Sequence, residues 1–317
     1  MFVTYNLEGF GGELKKIRKS LGFSQAYVQE TVGVSIDTIR KIESGRVIPR
    51  YDTLELLSFA YKEDLLDLLK NSRSNKFLME YHDEVDYIIS CYEKGAAPQL
   101  RDKLVTNFSD DASLSMVNPR EFEQFLTFVD SIDPYHSEAS VNYRFLRDKL
   151  VDALCLTIPS YRIRRFRQYK YSYIEFRILL LISLLIAREE NFAFSNDILY
   201  FILDKISDKN YTTKYVDYLI ITVYSNIAYN FHRLDNHAKA LEVADVGIAF
   251  CREKRTNHVL FTLYYRKGMA QFFLGDENHL DSITTAFYLL KAMGIPSLLE
   301  KYKKITEDTY GITVPLP

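Results

Sequence analysis

Nowhere in its 317 residues does the chain alternate apolar and polar side chains long enough to require a sheet. It is also thinly punctuated, with 12 glycines and 8 prolines. These two residues end helices and make turns, so their scarcity leaves long segments with apolar residues at three-and-four spacing. The expectation is an all-α protein. An apolar fraction of 47% supplies a core and excludes a disordered chain. The length fits two domains. The longest apolar run, Ile178 to Ala187, is interrupted by Ser183. It is shorter than the roughly 20 residues a membrane span needs, so it reads as a buried core helix.

Several chemistries are missing from the sequence. No HExxH, GxSxG, Gly-rich phosphate loop or CxxC occurs. The three cysteines, Cys91, Cys155 and Cys251, are far apart and odd in number, which fits a reducing cytoplasm. Cys155 sits in an apolar run and reads as core. The six histidines are scattered; the nearest pair, His232 and His237, is five apart and does not share a helix face. The sequence therefore points away from an enzyme and offers no metal or cofactor site. No basic-then-apolar leader opens the chain.

The first seventy residues read as short helices: Glu13–Leu21, Gln25–Val32, Ile36–Ser44, Thr53–Tyr61 and Leu65–Leu69. Ser24 and Ser35 are expected N-caps, and Gly22, Gly33 and Gly45 are expected stops. Between Phe23 and Pro49 runs FSQAYVQETVGVSIDTIRKIESGRVIP. It has the layout of a short helix, a tight turn and a second helix free to enter a major groove. Val28, Val34, Ile39 and Ile42 are spaced to share a core, and Ala26 is small where the two helices would cross. From Lys15 to Arg50 there are eight basic residues against three acidic, while the whole chain carries −2. The positive charge is thus concentrated where a nucleic acid would be gripped.

This stretch resembles the helix-turn-helix of phage-repressor-like transcription factors. The resemblance implies a structural ion pair between Arg18 and Glu43. It also implies a base-reading face on the third helix formed by Ile36, Asp37 and Lys41. Their chemistry suits a thymine methyl, cytosine N4 and guanine O6/N7 respectively. Helical periodicity by itself leaves Ile36 open as a core residue. Ser24, Gln25, Ser35, Thr38, Arg40, Arg46 and Arg50 are candidates for phosphate contacts.

Residues 71–76 (NSRSNK) are polar and aperiodic. They are expected to link a DNA-binding domain, residues 1–70, to a helical domain, residues 77–317. In that second domain Ala228, Phe231, Ala240, Ala244 and Gly247 follow the spacing of a tetratricopeptide repeat. Small residues let the two helices of a pair approach, and Gly268 and Ala286 mark a second unit. Segment 175–208 reads as a more degenerate one.

A small reader joined to a degenerate repeat domain resembles the Rgg/PlcR/PrgX group of peptide-pheromone receptors. The last repeat, LYYRKGMAQFFLGDENHLDSITTAFYLLKAMG from Leu263 to Gly294, carries that likeness most clearly. It implies a cytoplasmic, homodimeric transcriptional regulator, dimerised through its C-terminal domain. Its operator binding would be controlled by a short signalling oligopeptide held in the repeat groove. The repeat register places Thr222, Asn226 and Tyr229, then Tyr265, Arg266 and Met269, on the groove face. A ligand-independent repressor and a scaffold that holds a protein partner stay open.

One further segment, YRIRRFRQYK from Tyr161 to Lys170, has five basic residues and no acidic one. It suits a solvated face, a lining for the groove, or a second DNA contact.

Overall fold

The computed structural model describes residues 7–71, 75–91, 95–110, 118–137, 141–207 and 214–314. Every regular element among them is helical. The chain divides into two compact units: Met1–Asp86 with Asp102–Pro119, and Tyr87–Arg101 with Arg120–Pro317.

The first unit begins with α1 (Leu7–Ser20), α2 (Gln25–Val32), α3 (Ile36–Glu43), α4 (Tyr51–Tyr61) and α5 (Leu65–Asn71). Ser24 and Ser35 cap α2 and α3, accepting from the N–H groups of Tyr27 and Thr38. Gly33 ends α2 at φ +75°, a backbone conformation open to glycine without strain. Phe10, Leu14, Val28, Ile39, Ile42, Leu54 and Leu57 fill the core these helices share.

Two expectations are corrected here. The first helix starts at Leu7, so Gly9, Gly11 and Gly12 lie inside it rather than before it. The close crossing falls at Gly11, not at Ala26. A methyl group on Gly11 would run into the main-chain carbonyl oxygens of Ile42 and Glu43, whereas Ala26 is exposed. The α1–α3 crossing, invisible in one-dimensional spacing, is the tight one.

Of the expected linker at 71–76, residues 71, 75 and 76 are described, and all three are helical. Asn71 closes α5 and Asn75 opens α6 (Asn75–Cys91); residues 72–74 lie outside the described set. α7 (Ala96–Asp110) follows. The second unit continues with α8 (Pro119–Asp130), α9 (Ile132–His136) and α10 (Tyr143–Cys155). A 3-10 turn, Ile163–Gln168, leads into seven further helices. These are α11 (Tyr173–Arg188), α12 (Phe192–Ser207), α13 (Lys214–Arg233), α14 (His237–Lys254), α15 (Leu260–Leu274), α16 (His279–Ala292) and α17 (Pro296–Tyr310).

From α10 to α17 each helix packs on its successor, with the α12–α13, α13–α14, α14–α15 and α15–α16 pairs forming an unbroken series. Alternate helices also touch, along α11–α13–α15. A stack with such contacts on one side places those three helices on its inner layer and α12, α14 and α16 on its outer one. Small residues permit the approach. Ala228, Ala240, Ala244 and Ala286 are fully buried, and a methyl on Gly268 would strike Ile283 and the His279 carbonyl. The apolar run in α11 is buried, as expected of a core helix. Cys155 departs from expectation: it ends α10 with its side chain exposed, because the chain turns there toward the 3-10 segment. No helix among the described residues is long and apolar enough to cross a membrane.

Candidate functional site

The helix-turn-helix is braced from behind. Arg18 and Glu43 are both buried and form a two-pronged bridge, Nε–Oε1 at 2.5 Å and Nη2–Oε2 at 2.9 Å. Arg18 Nη1 also donates to the Phe23 carbonyl at 2.7 Å, and Gln25 Nε2 donates to Glu43 Oε2 at 2.9 Å. Four hydrogen bonds thus fix α1, the α1–α2 turn, α2 and the end of α3 to one another. Gln25, a candidate phosphate contact, has its side-chain donor committed to Glu43. Its main-chain N–H remains at the α2 N-terminus, where an anion is favoured.

The face of α3 opposite that brace carries two of the candidate base readers, Asp37 and Lys41, whereas Ile36 lies two turns before Glu43 on the side of the brace. Asp37 and Lys41 are exposed and pair one helical turn apart, Nζ–Oδ2 at 2.7 Å. That bond holds Asp37 below its usual carboxylate range. Ile36 is half-buried and stands outside the core cluster of this unit; its N–H donates to Gln29 Oε1 at 2.9 Å. Ser35 and Thr38 are linked hydroxyl to hydroxyl at 2.8 Å. Arg40, Arg46 and Arg50 are exposed, and Arg50 lies 3.5 Å from Asp52. Gln29, absent from the sequence-derived set, orients the start of α3. Its signal was available as a glutamine seven residues before Ile36, across the turn.

In the second unit the expected groove residues separate into two groups. Thr222, Asn226 and Tyr229 are half-buried along α13, and Arg266 on α15 sets its guanidinium 4.5 Å from the Tyr229 ring centre. These four come together on the inner layer. Tyr265 and Met269 do not join them. Both are buried in the core of the last repeat, and the Tyr265 hydroxyl meets Thr306 at 3.0 Å. α17 is the physical reason: its Tyr302 and Thr306 cover that face of α15. Asn226 is engaged within its own helix. Its Nδ2 donates to the Thr222 carbonyl within its own helix at 2.8 Å, which leaves Oδ1 as the outward group.

Around Tyr229 the structure assembles cations that spacing did not reveal. Arg233 donates to the Tyr229 hydroxyl at 3.0 Å and lies over Phe192. Arg188, at the end of α11, stacks on Tyr135 with 5.3 Å to the ring centre. None of Arg188, Arg233 and Arg266 has a carboxylate partner among the described residues. The Arg266 Nε is buried with no hydrogen-bond partner. Further along the strip His258 stacks on Tyr218 at 4.1 Å, near Thr222. Burial pushes His136, His232 and His258 each down to about 4, with neighbouring arginines acting in the same direction. The strip is therefore cationic through its arginines alone.

The two histidines judged apart in sequence are together in space. His232 and His237 place Nδ1 atoms 3.2 Å apart across the α13–α14 turn, against Phe273. No group of three metal-binding side chains forms among the described residues.

Comparison with known proteins bears on the fold. Residues 14–68 match the Helix-turn-helix family model. A search of curated proteins finds no match. Among solved structures, PlcR of Bacillus thuringiensis, in complex with the peptide PapR7 and DNA, superposes with a TM-score of 0.70 at 16% identity. That match covers 93% of this chain and 99% of PlcR. ComR from S. thermophilus, in complex with DNA and its signalling peptide ComS, gives 0.56 at 12% identity over 96% and 100%. The Streptococcus dysgalactiae SHP pheromone receptor Rgg2 gives 0.55 at 14% identity over 94% and 99%. The chain thus carries a helix-turn-helix within residues 14–68 and shares the fold of PlcR, ComR and Rgg2 over the matched 93–96% of its length.

Proposed function

We propose that this chain is a cytoplasmic, homodimeric transcriptional regulator whose DNA binding is controlled by a short oligopeptide held on the inner layer of its second unit. The observation that carries the reading is Arg266. A guanidinium with a buried, unpartnered Nε is costly unless something fills the position. It lies over Tyr229 with Arg233 and Arg188 nearby and no carboxylate partner for any of the three among the described residues. A peptide's C-terminal or side-chain carboxylate is the complement such a cluster calls for. The likeness to PlcR and ComR, both captured with DNA and a peptide, supports the same division of labour.

The mechanism follows from linkage. A peptide shifts the protein only by binding one arrangement of the stack better than another. Neutralising the cluster relieves repulsion among its arginines, so α11, α13 and α15 gain a preferred arrangement when the ligand is present. The DNA-binding part lies in the first unit and the peptide-binding part in the second. The reader works through Ile36, Asp37 and Lys41. Lys41 must trade its bond to Asp37 for a base edge, and because that bond is exposed the exchange costs little.

The test is a thermal-shift screen of short synthetic oligopeptides with free C-terminal carboxylates, followed by duplex-binding titrations with any that stabilise. An effective peptide raises the melting temperature and changes DNA affinity, and Arg266→Gln removes both effects while apo DNA binding persists. Lys41→Ala weakens binding to the selected operator by about 1–3 kcal/mol and leaves mixed-sequence binding less affected. A screen with no stabilising peptide, together with a co-purifying protein, would replace this reading with a scaffold.

A further inference from the structure

The basic segment between α10 and α11 is not part of the peptide strip. Phe166 is 1% exposed and packs edge-on against Phe194 and Phe201 of α12, which belongs to the outer layer. Tyr161 is also buried, and Tyr171 donates to the Phe166 carbonyl at 2.8 Å. These anchors hold the 3-10 turn against the outer layer. The side chains between them point the other way: Arg162, Arg164, Arg165, Arg167, Gln168 and Lys170 are all exposed. Arg167 has one acidic neighbour, Asp197 at 3.8 Å. Arg162, Arg164, Arg165 and Lys170 have none among the described residues. In a chain of net charge −2, four uncompensated cations in nine residues on a fixed turn form a local anion site.

We propose that this turn is a second DNA contact, gripping the phosphate backbone of double-stranded DNA. The proposal rests on the DNA-binding reading above. Composition selects the partner. A protein partner would need an apolar or aromatic centre to its interface, and no fully exposed residue of the turn is apolar or aromatic. A single strand would need exposed rings for its bases to stack on. Here Tyr161 and Phe166 are buried, and Tyr169 is half-buried and set against Tyr161. The side chains left fully exposed, Arg162, Arg164, Arg165, Arg167, Gln168 and Lys170, are polar or cationic and rich in guanidinium groups. That is the composition of a backbone contact to double-stranded nucleic acid. Such a contact reads no sequence; it adds affinity and steep salt dependence.

The experiment measures binding of the full chain to a fluorescein-labelled mixed-sequence duplex of 40 base pairs at increasing salt. Three proteins are compared: wild type, R162A/R164A/R165A, and the reader variant R40A/R46A/R50A. For the turn variant, the slope of log affinity against log salt becomes shallower by about 0.9 for every phosphate that is no longer neutralised. Affinity at low salt then falls at least tenfold. Its melting temperature stays at the wild-type value, since all three side chains are exposed. Restoring the charges as R162K/R164K/R165K recovers most of the slope. Wild-type slope and affinity in the alanine variant would overturn the proposal. So would a loss confined to a single-stranded 40-mer or to a polyglutamate probe. An unchanged slope in the reader variant would overturn the helix-turn-helix reading instead, so the two failures are distinct.

Discussion

At the scale of single residues, the brace behind the reader is the most consequential arrangement. Arg18 and Glu43 sit 7% and 8% exposed, so neither charge is stabilised by water. Burying an ion pair is roughly neutral against an apolar pair of equal volume, but removing one partner strands the other. The Tyr61 hydroxyl is buried in the same core without a partner, and its burial, with the Glu43 charge adding, pushes it up to about 12. It cannot therefore serve as a spare anion for Arg18. Glu43→Gln is expected to destabilise the first unit by about 3–5 kcal/mol, whereas Arg18→Leu with Glu43→Leu recovers most of that loss. With no tryptophan in the chain, amide hydrogen exchange in α1 and α3 is the suitable measurement. Wild-type protection in the single variant would mean that the bridge contributes nothing.

Elements were more legible than their crossings. The boundaries of α2 and α3 follow from Ser24, Ser35 and Gly33, because caps and stops act locally and leave a mark in sequence. The α1–α3 crossing leaves no such mark, and neither does the covering of α15 by α17, which took Tyr265 and Met269 out of the groove. Register told which side of α15 these residues occupy; only the packing of a later helix determined whether that side met solvent. Arg188 and Arg233 escaped notice for a related reason. They come from α11 and α13 and converge on Tyr135 and Tyr229 only after the stack forms. The crossing itself makes a paired prediction. A methyl at Gly11 meets main-chain oxygens of α3, which cannot rotate away, whereas a methyl at Gly12 meets nothing within 4 Å. Gly11→Ala is therefore expected to destabilise by about 1–3 kcal/mol through overpacking. Gly12→Ala is expected to stabilise by about 0.5–1 kcal/mol through helix propensity. Opposite shifts in thermal midpoint from adjacent substitutions would establish the contact; equal shifts would refute it.

At the scale of the whole molecule, acid sensitivity should be a property of the second unit. His136, His232 and His258 each titrate at about 4 in the folded protein, against an ordinary value of 6.5. Burial is the largest cause in all three. Arg188 and Lys301 act on His136, Arg177 acts on His258, and His232 feels Arg266, His237 and Arg233 with Asp235 opposing. Since the folded values are depressed, the unfolded chain binds protons first as pH falls. Stability is then full above about 6.5 and declines steadily toward 4. The upper part of that window lies above the usual carboxylate range, so loss between pH 6.5 and 5.5 belongs to the histidines. It should amount to about 1 kcal/mol for each of them by pH 5.5. A carboxylate bound beside Arg266 would offset the positive field at His232 and raise its value, so an effective peptide should flatten the decline as well as raise the midpoint. Thermal melts from pH 7.5 to 5.5, with and without peptide, measure both effects. A midpoint independent of pH across that range would show that these histidines are not buried neutral. A decline that peptide leaves unchanged would separate the ligand from the arginine cluster.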